Sequence, residues 1–277
     1  MKKPTPLSPA PTLAEQADRH VLYELSVQCA EAEVDFIDDT FRSLRGRRAR
    51  WLREDFCGTA SVSCEWVRRR KTNRAIGVDL DPAVLEWGAT QNVVQLDAEA
   101  RDRVTLLNQD VRLVDTRPQD LILAMNFSYW LLMDRQALKQ YFDGVRSSLK
   151  NDGIFFLDAY GGYDSFRVIT EERTIDGPDG SFTYVWEQEA YDPISGRLRC
   201  NIHFAFEDGS RLDRAFSYDW RLWTLPEIRE LLKEAGFSRI TVYWQGWDEN
   251  GEPDGNFEPA EAGEAEAGWI CYLTAEK

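Results

Sequence analysis

Histidine is nearly absent from this sequence: His20 and His203 are the only two in 277 residues. Acid–base chemistry built on imidazole therefore has at most two positions to use. Cysteine is scarce too, and the five residues Cys29, Cys57, Cys64, Cys200 and Cys271 include no pair at CxxC spacing. Neither a disulfide framework nor a structural zinc is expected, no other metal cluster is visible, and a reducing, cytoplasmic setting fits best. Positive charge is in deficit, with 33 Lys and Arg against 48 Asp and Glu and a net charge of −15. Phosphate backbones are bound by concentrated Lys and Arg, so a nucleic-acid partner is not expected. The basic runs at 45–53 and 68–74 read as a solvated helix end and loop. No apolar run approaches the roughly 18 residues of a membrane-spanning helix, so no membrane partner is expected either. The start, Met1-Lys2-Lys3-Pro4, has no apolar segment after it and does not read as a secretory signal.

What the chain does have is the composition of an ordinary soluble globular protein, 43% hydrophobic and 29% charged, with enough length for a sizeable core. Residues 1–14, rich in Pro, Ser and Thr, read as a disordered lead. Apolar residues then recur at helical spacing, through Leu22, Leu25 and Val27 and again through Val34, Ile37, Phe41 and Leu44. Two helices, or one with a break, should precede the first strand. Short apolar runs at 49–56, 74–78, 104–107, 120–125 and 154–158 then alternate with helical stretches at 61–70, 82–91 and 135–149. Such alternation means βαβ units and a parallel, doubly wound sheet. Beyond it, 183–189, 197–206 and 212–219 read as an antiparallel meander inserted after the fifth strand. Thr224 and Glu227 sign a capping box for a late helix that Gly236 ends. Two more strands follow, 240–244 and 269–274, separated by an acidic loop at 252–268 that reads as mobile. The expected fold is α/β: a doubly wound, mostly parallel, seven-stranded Rossmann-like sheet with an antiparallel lid. The corresponding organisation is 15–160 for the N-terminal helices and core, 161–220 for the lid and 221–277 for completion of the sheet.

A strand that turns tightly into a helix is where such sheets bind ligands. Here that turn is Glu54-Asp55-Phe56-Cys57-Gly58-Thr59-Ala60, and it holds one glycine where a dinucleotide fingerprint wants three. It resembles instead the first motif of class I S-adenosylmethionine (SAM) methyltransferases, an acidic residue followed by a turn containing Cys-Gly-Thr. Glu54 stands in the acidic slot, and Phe56 and Ala60 stand where that family usually has glycine. Asp79, in Gly77-Val78-Asp79-Leu80, ends the second strand 21 positions after Gly58, where a carboxylate can accept from both ribose hydroxyls. Asp110, followed by Val111, ends the third strand and resembles the residue that meets the adenine amino group. Asn126 follows the fourth, where the family places residues beside the methyl group in transit. The late helix Thr224 to Phe237 also looks like that of these enzymes. The resemblance spans roughly residues 50–160 and 220–277 and implies Glu54, Phe56, Cys57, Gly58, Asp79, Leu80, Asp110, Val111 and Asn126 as cofactor contacts.

What it further implies is SAM as cofactor and methyl transfer to an N or O nucleophile of a small-molecule acceptor, with catalysis mainly by positioning. Asp158 and Tyr160, at the end of the fifth strand, are catalytic candidates because that edge faces ligands in this architecture. His203 is the third, although it alternates with Ile202 and Phe204 and so faces opposite to them. Tyr129, Trp130, Trp186 and Trp223, among many aromatics, are candidates to touch the acceptor, since aromatic faces attract flat or cationic groups. Two other readings stay open: a methyltransferase-like binding domain without catalysis, and a nicotinamide-dependent oxidoreductase. The acceptor and the oligomeric state, a homodimer among the options, are not legible.

Overall fold

The computed structural model describes residues 10–249 and 253–277. Residues 1–9 of the expected lead and residue 252 of the expected loop lie outside them. Among the described residues three helices rather than two precede the first strand: α1 (Leu13–Gln16), α2 (Arg19–Val27) and α3 (Ala30–Arg45). α1 begins inside the stretch expected to be disordered. Thr12 and Glu15 form a capping box there, and the Leu13 N–H donates to Asp208 at 2.9 Å, so a distant turn anchors it.

The alternating segment folds as expected. β1 (Trp51–Asp55), β2 (Arg74–Asp79), β3 (Val104–Asn108), β4 (Gln119–Ala124) and β5 (Leu149–Gly161) run parallel in the order 3-2-1-4-5. Between them lie α4 (Ser61–Arg69), α5 (Pro82–Gln91), the single-turn α6 (Ala98–Arg101) and α7 (Arg135–Ser148). β5 is longer than its apolar run, because Leu149 already pairs with Gln119 and the register shifts before Leu121 pairs with Ile154. Asn151-Asp152-Gly153 thus makes an irregularity inside a strand.

After β5 the chain builds a separate antiparallel sheet in sequence order: β6 (Ile169–Gly177), β7 (Gly180–Asp192), β8 (Arg197–Phe206) and β9 (Arg211–Arg221). It has one strand more than the sequence pattern anticipates. β6 escapes that pattern because Thr170, Glu171, Glu172 and Arg173 give it no apolar run, and it holds its place as an edge. The helix α8 (Leu225–Glu234) carries the expected Thr224–Glu227 capping box. β10 (Arg239–Trp247), β11 (Pro253–Ala260) and β12 (Trp269–Glu276) then complete the first sheet in the order β11-β10-β12-β5.

Two corrections follow. The first sheet has eight strands, not seven, and residues 253–260 of the expected mobile loop form the eighth. The reason is tertiary: Phe257 stacks on Tyr272 with ring centroids 4.1 Å apart, and β11 is an outer strand, where proline is tolerated. The core explains the double winding. β4 is buried along its whole length. Its Leu121 and Leu123 pack with Val34, Ile37, Phe41 and Trp66 of α3 and α4. Its Ile122 and Ala124 pack with Leu138, Phe142, Ile228 and Leu231 of α7 and α8. Alternate residues of one strand therefore serve two helix layers. Among the described residues no helix is long and apolar enough to cross a membrane.

Candidate active site

The turn after β1 carries three residues in the left-handed backbone region: Phe56 and Ala60 at φ 58° and Gly58 at φ 51°. The two places where the sequence departs from glycine are thus places where glycine would sit without strain. Holding a side chain there costs about 1–2 kcal/mol each. What stabilises the turn is visible around it. The Cys57 N–H donates to the Val78 carbonyl at 3.0 Å, and the Gly58 N–H donates to Asp79 at 2.8 Å. The second Asp79 oxygen accepts from the Asp81 N–H at 2.9 Å. Each oxygen keeps a lone pair for a further donor. The Phe56 ring turns into the core, edge-on to Tyr141 at 5.7 Å, and does not line the cavity described below.

Glu54 has a structural duty in this turn. Its carboxylate accepts from both the backbone N–H and the hydroxyl of Ser63, at 2.9 and 2.5 Å. Ser63 lies in the first turn of α4, whose own N-cap, Ala60, offers no side chain. Glu54 therefore caps α4 from the neighbouring strand and occupies the positive end of its dipole. Burial pushes its pKa up to about 7, against the pull of the Ser63 bonds. A pyrophosphate would need that same helix end, and a buried carboxyl already holds it.

Two contacts tie the turn to helices. Glu24 of α2 accepts from the Thr59 hydroxyl at 2.5 Å and from Asn92 at 2.7 Å. α2 also presses Tyr23 on Phe216 of β9, with ring centroids 4.9 Å apart, so one helix spans from the turn to the second sheet. On the other side α5 approaches so closely that a Cβ on Gly88 would lie 2.5 Å from the Thr59 carbonyl oxygen. Gly88→Ala would gain about 1 kcal/mol of helix propensity in an open helix. Here it drives a methyl group into backbone, which costs more, about 1–3 kcal/mol net. The variant is expected to melt several degrees lower, and a melting temperature at or above the parent's would refute this account of the contact.

Further along the sheet edge, Asp110 is held by Arg112, whose guanidinium donates to both its oxygens, at 3.0 Å from Nε and 2.5 Å from a terminal nitrogen. That pairing keeps the Asp110 carboxyl below its usual range. Val111 is buried, whereas Leu80 is 68% exposed directly after Asp79, an apolar side chain beside a polar anchor.

A cavity of about 1000 Å³ opens between the ends of β4 and β5, the helices α2 and α3, and the inner face of the second sheet. Asn126, Asp158, Tyr160 and Trp186 all line it. Asn126 and Phe127 are both left-handed, at φ 56°, and their N–H groups donate to the two Asp158 oxygens at 2.7 and 2.9 Å. Asp158 thus pins a strained turn. Burial raises its pKa to about 7 despite those bonds. The Tyr160 hydroxyl donates to Gln188 at 3.4 Å, and burial holds its pKa well above the ordinary value. The Gln188 amide donates in turn to the Asp164 and Arg167 carbonyls at 2.9 and 3.1 Å, which fixes which end faces Tyr160.

Four of the expected contacts lie elsewhere. His203 is on the opposite face of the second sheet from the cavity-lining Ile202, 3.2 Å from both Glu187 and Asp213. Tyr129, Trp130 and Trp223 are at most 1% exposed and do not line the cavity. Trp130 stacks behind Tyr160 at 5.0 Å, the Tyr129 hydroxyl donates to the Asp158 carbonyl at 2.7 Å, and Arg221 covers Trp223 at 3.7 Å. They back the wall because the gap between the sheet and its helices needs large side chains. Residues missed in the sequence include Glu33, Gln188 and Tyr218, all in the cavity wall. Glu33 left a signal, an acid at four-residue spacing from the buried Ile37 and Phe41.

The wall is acidic. Among the described residues its acidic side chains are Glu33, Asp158, Asp164, Glu171 and Glu172, and its one basic side chain is Arg173. Among the described residues no group of three or more His, Cys, Asp or Glu side chains is placed to hold a metal ion. The residues present suit SAM well. A positively charged methionine end would meet carboxyls, a ribose would meet Asp79, and Leu80 is the uncovered apolar surface an adenine needs.

No protein-family model and no curated protein matches the chain by sequence. Solved structures do match. One is a SAM-dependent methyltransferase from Clostridium acetobutylicum, at 20% identity and a TM-score of 0.65, covering 92% of this chain and 96% of that one. A second is CalS10, an amino pentose methyltransferase from Micromonospora echinaspora, at 14% and 0.67, covering 93% and 96%. A third is the sugar N-methyltransferase KedS8 from Streptoalloteichus, at 16% and 0.66, covering 100% and 98%. The chain has the fold of the SAM-dependent methyltransferases, inserted antiparallel sheet included.

Proposed function

We propose that the chain transfers a methyl group from SAM to a nitrogen or oxygen nucleophile of a small molecule held in the cavity between the two sheets. The observation that carries this reading is the left-handed turn 56–60 at the sheet edge, anchored to Asp79 and adjoining an acidic cavity. The CalS10 and KedS8 likenesses, to enzymes named for an amino pentose and for a sugar nitrogen, support a small polar acceptor. The acidic wall fits a cationic one.

SAM supplies, when bound, an activated methyl group on a positively charged sulfur. The residues of this chain then have four tasks. Asp79 accepts from the ribose hydroxyls, Asp110 faces the adenine amino group, and Leu80 and Val111 flank the ring. Gly58 and its neighbours let the backbone approach the methionine end, with Cys57 packed beneath and Glu54 holding α4. Asn126, pinned by Asp158, sets the place where acceptor and methyl group meet. Tyr160 and Trp186 orient the acceptor, and α2 covers the seat and excludes water. Alignment of this kind contributes several kcal/mol to a displacement that needs little else. The five unpaired cysteines fit a reducing, cytoplasmic setting.

A titration decides the matter. The purified protein is expected to bind SAM and S-adenosylhomocysteine with dissociation constants on the order of micromolar, and NADH not at all. Heat on NADH addition but not on SAM addition would overturn the reading in favour of an oxidoreductase. No binding of either would leave a domain that has lost its cofactor.

A further inference from the structure

Glu33 is a carboxyl that the roles above do not use. It stands in the first turn of α3, is 7% exposed, and belongs to the cavity wall. Its Oε2 has no hydrogen-bond partner. A buried acceptor without a donor costs about 1–3 kcal/mol, and a glutamate on the apolar stripe of a helix does nothing for packing. The groups that face it supply no compensating charge. Asp158 of β5 and Glu54 of β1 act on it as like charges, and Tyr272 of β12 and Tyr23 of α2 lie within electrostatic reach. The Cys29 backbone, at the positive end of α3, favours its ionised form.

The neighbouring carboxyls are already engaged. Both Asp158 oxygens hold the turn at Asn126, and Glu54 holds Ser63. Glu33 has a buried oxygen without a partner, and it lies within electrostatic reach of Glu54 near the end of β1 and of Asp158 in β5. On the methyl-transfer reading, which this inference rests on, that is where the methionine end of the cofactor comes to lie. A group that is both a cation and a donor satisfies that oxygen and, unlike a neutral donor, also offsets the neighbouring acids.

We propose that Glu33 receives the ammonium group of the cofactor's methionine end and thereby fixes that end against α3. The ammonium keeps its own proton and donates to Oε2. Glu33, neutral in the empty cavity at about pH 7 because burial raises its pKa to about 8, releases its proton to solvent as the cation enters.

The test compares S-adenosylhomocysteine with methylthioadenosine, which keeps the nucleoside and lacks the amino-acid end. Calorimetry near pH 7 in two buffers of different ionisation enthalpy reads affinity and proton release together. Wild type is expected to release protons on binding S-adenosylhomocysteine and few on binding methylthioadenosine. Glu33→Gln is expected to weaken S-adenosylhomocysteine by roughly 10- to 100-fold, to lower the proton release, and to leave methylthioadenosine unchanged. Because glutamine mimics the neutral acid, the ligand-free variant should melt like the parent. Wild-type affinity and proton release in E33Q would overturn the proposal while leaving methyl transfer standing. Equal losses for both ligands would make Glu33 merely structural and overturn it too. If E33Q does not fold, the wild-type pair of ligands decides, and equal proton release by both rejects the ammonium. Failure of wild type to bind either ligand would instead remove the methyl-transfer reading itself.

Discussion

Asp79→Ala is expected to weaken SAM and S-adenosylhomocysteine by about two orders of magnitude or more, because two losses fall on one side chain. The first is direct: a carboxylate that accepts from ribose hydroxyls contributes about 1.5–3 kcal/mol per bond. The second is the turn. Asp79 accepts from Gly58 at 2.8 Å and from Asp81 at 2.9 Å, and the first of these bonds holds a turn with three left-handed residues. Without it the strain at Phe56 and Ala60 is less well opposed and the backbone has less reason to keep the shape that admits a ligand. Asp79→Asn is not a mild version. Both backbone partners are donors, so an amide nitrogen must face one of them, and the affinity should still fall by about tenfold. Calorimetry on both variants reads this directly. Affinity within about threefold of wild type for the alanine variant would show that Asp79 holds neither ribose nor turn.

How much of this was legible depended on whether the controlling interaction was local. The βα alternation was, because β2 to β5 each carry a short apolar run and the late helix announces both its ends through Thr224 and Gly236. The order of acids along the sheet edge, Glu54, Asp79 and Asp110, was legible for the same reason. β11 was not, since Pro-Asp-Gly-Asn-Phe-Glu-Pro-Ala has no strand propensity and owes its place to the pairing with β10 and the Phe257–Tyr272 stack. β6 was hidden by its charges. His203 shows a pattern read correctly and then underused: its alternation with Ile202 and Phe204 already placed it on the other face. Tyr129, Trp130 and Trp223 show the opposite limit, because aromatic content does not separate a wall from what stands behind it. Phe56 looked like an obstacle in sequence, yet its backbone adopts the conformation glycine would and its ring turns inward to Tyr141. Glu54 and Asp158 were identified by position, but their partners, Ser63 and the Asn126–Phe127 amides, come from folding and change what each carboxyl does.

The ligand-free protein is expected to lose stability as pH rises from about 5 to about 8, the reverse of what exposed carboxylates produce. Three buried carboxyls decide the sign. Burial lifts Glu33 from 4.5 to about 8, Glu54 from 4.5 to about 7 and Asp158 from 3.8 to about 7. Across that window the folded chain binds protons that the unfolded chain has released. Stability is therefore fully present below the unfolded values and drains away as pH climbs through the folded ones. Every tenfold gain in proton affinity on folding is worth about 1.4 kcal/mol at most, and relaxation around the charge reduces it, so several kcal/mol in total is the scale. Carboxyls held low by their partners, such as Asp110 beside Arg112, act in the other direction but only as pH falls below about 4. The net maximum should lie near pH 5, with a fall of roughly 5–10 °C in melting temperature by pH 8. A cationic ligand supplies the charge these groups lack. Saturating S-adenosylhomocysteine should therefore flatten the curve, and the stabilisation it confers should grow with pH. Thermal unfolding with and without ligand at half-unit steps of pH measures both. A ligand-free melting temperature that holds level or climbs from pH 5 to 8 would mean that water or an unrecognised cation already balances Glu33, Glu54 and Asp158.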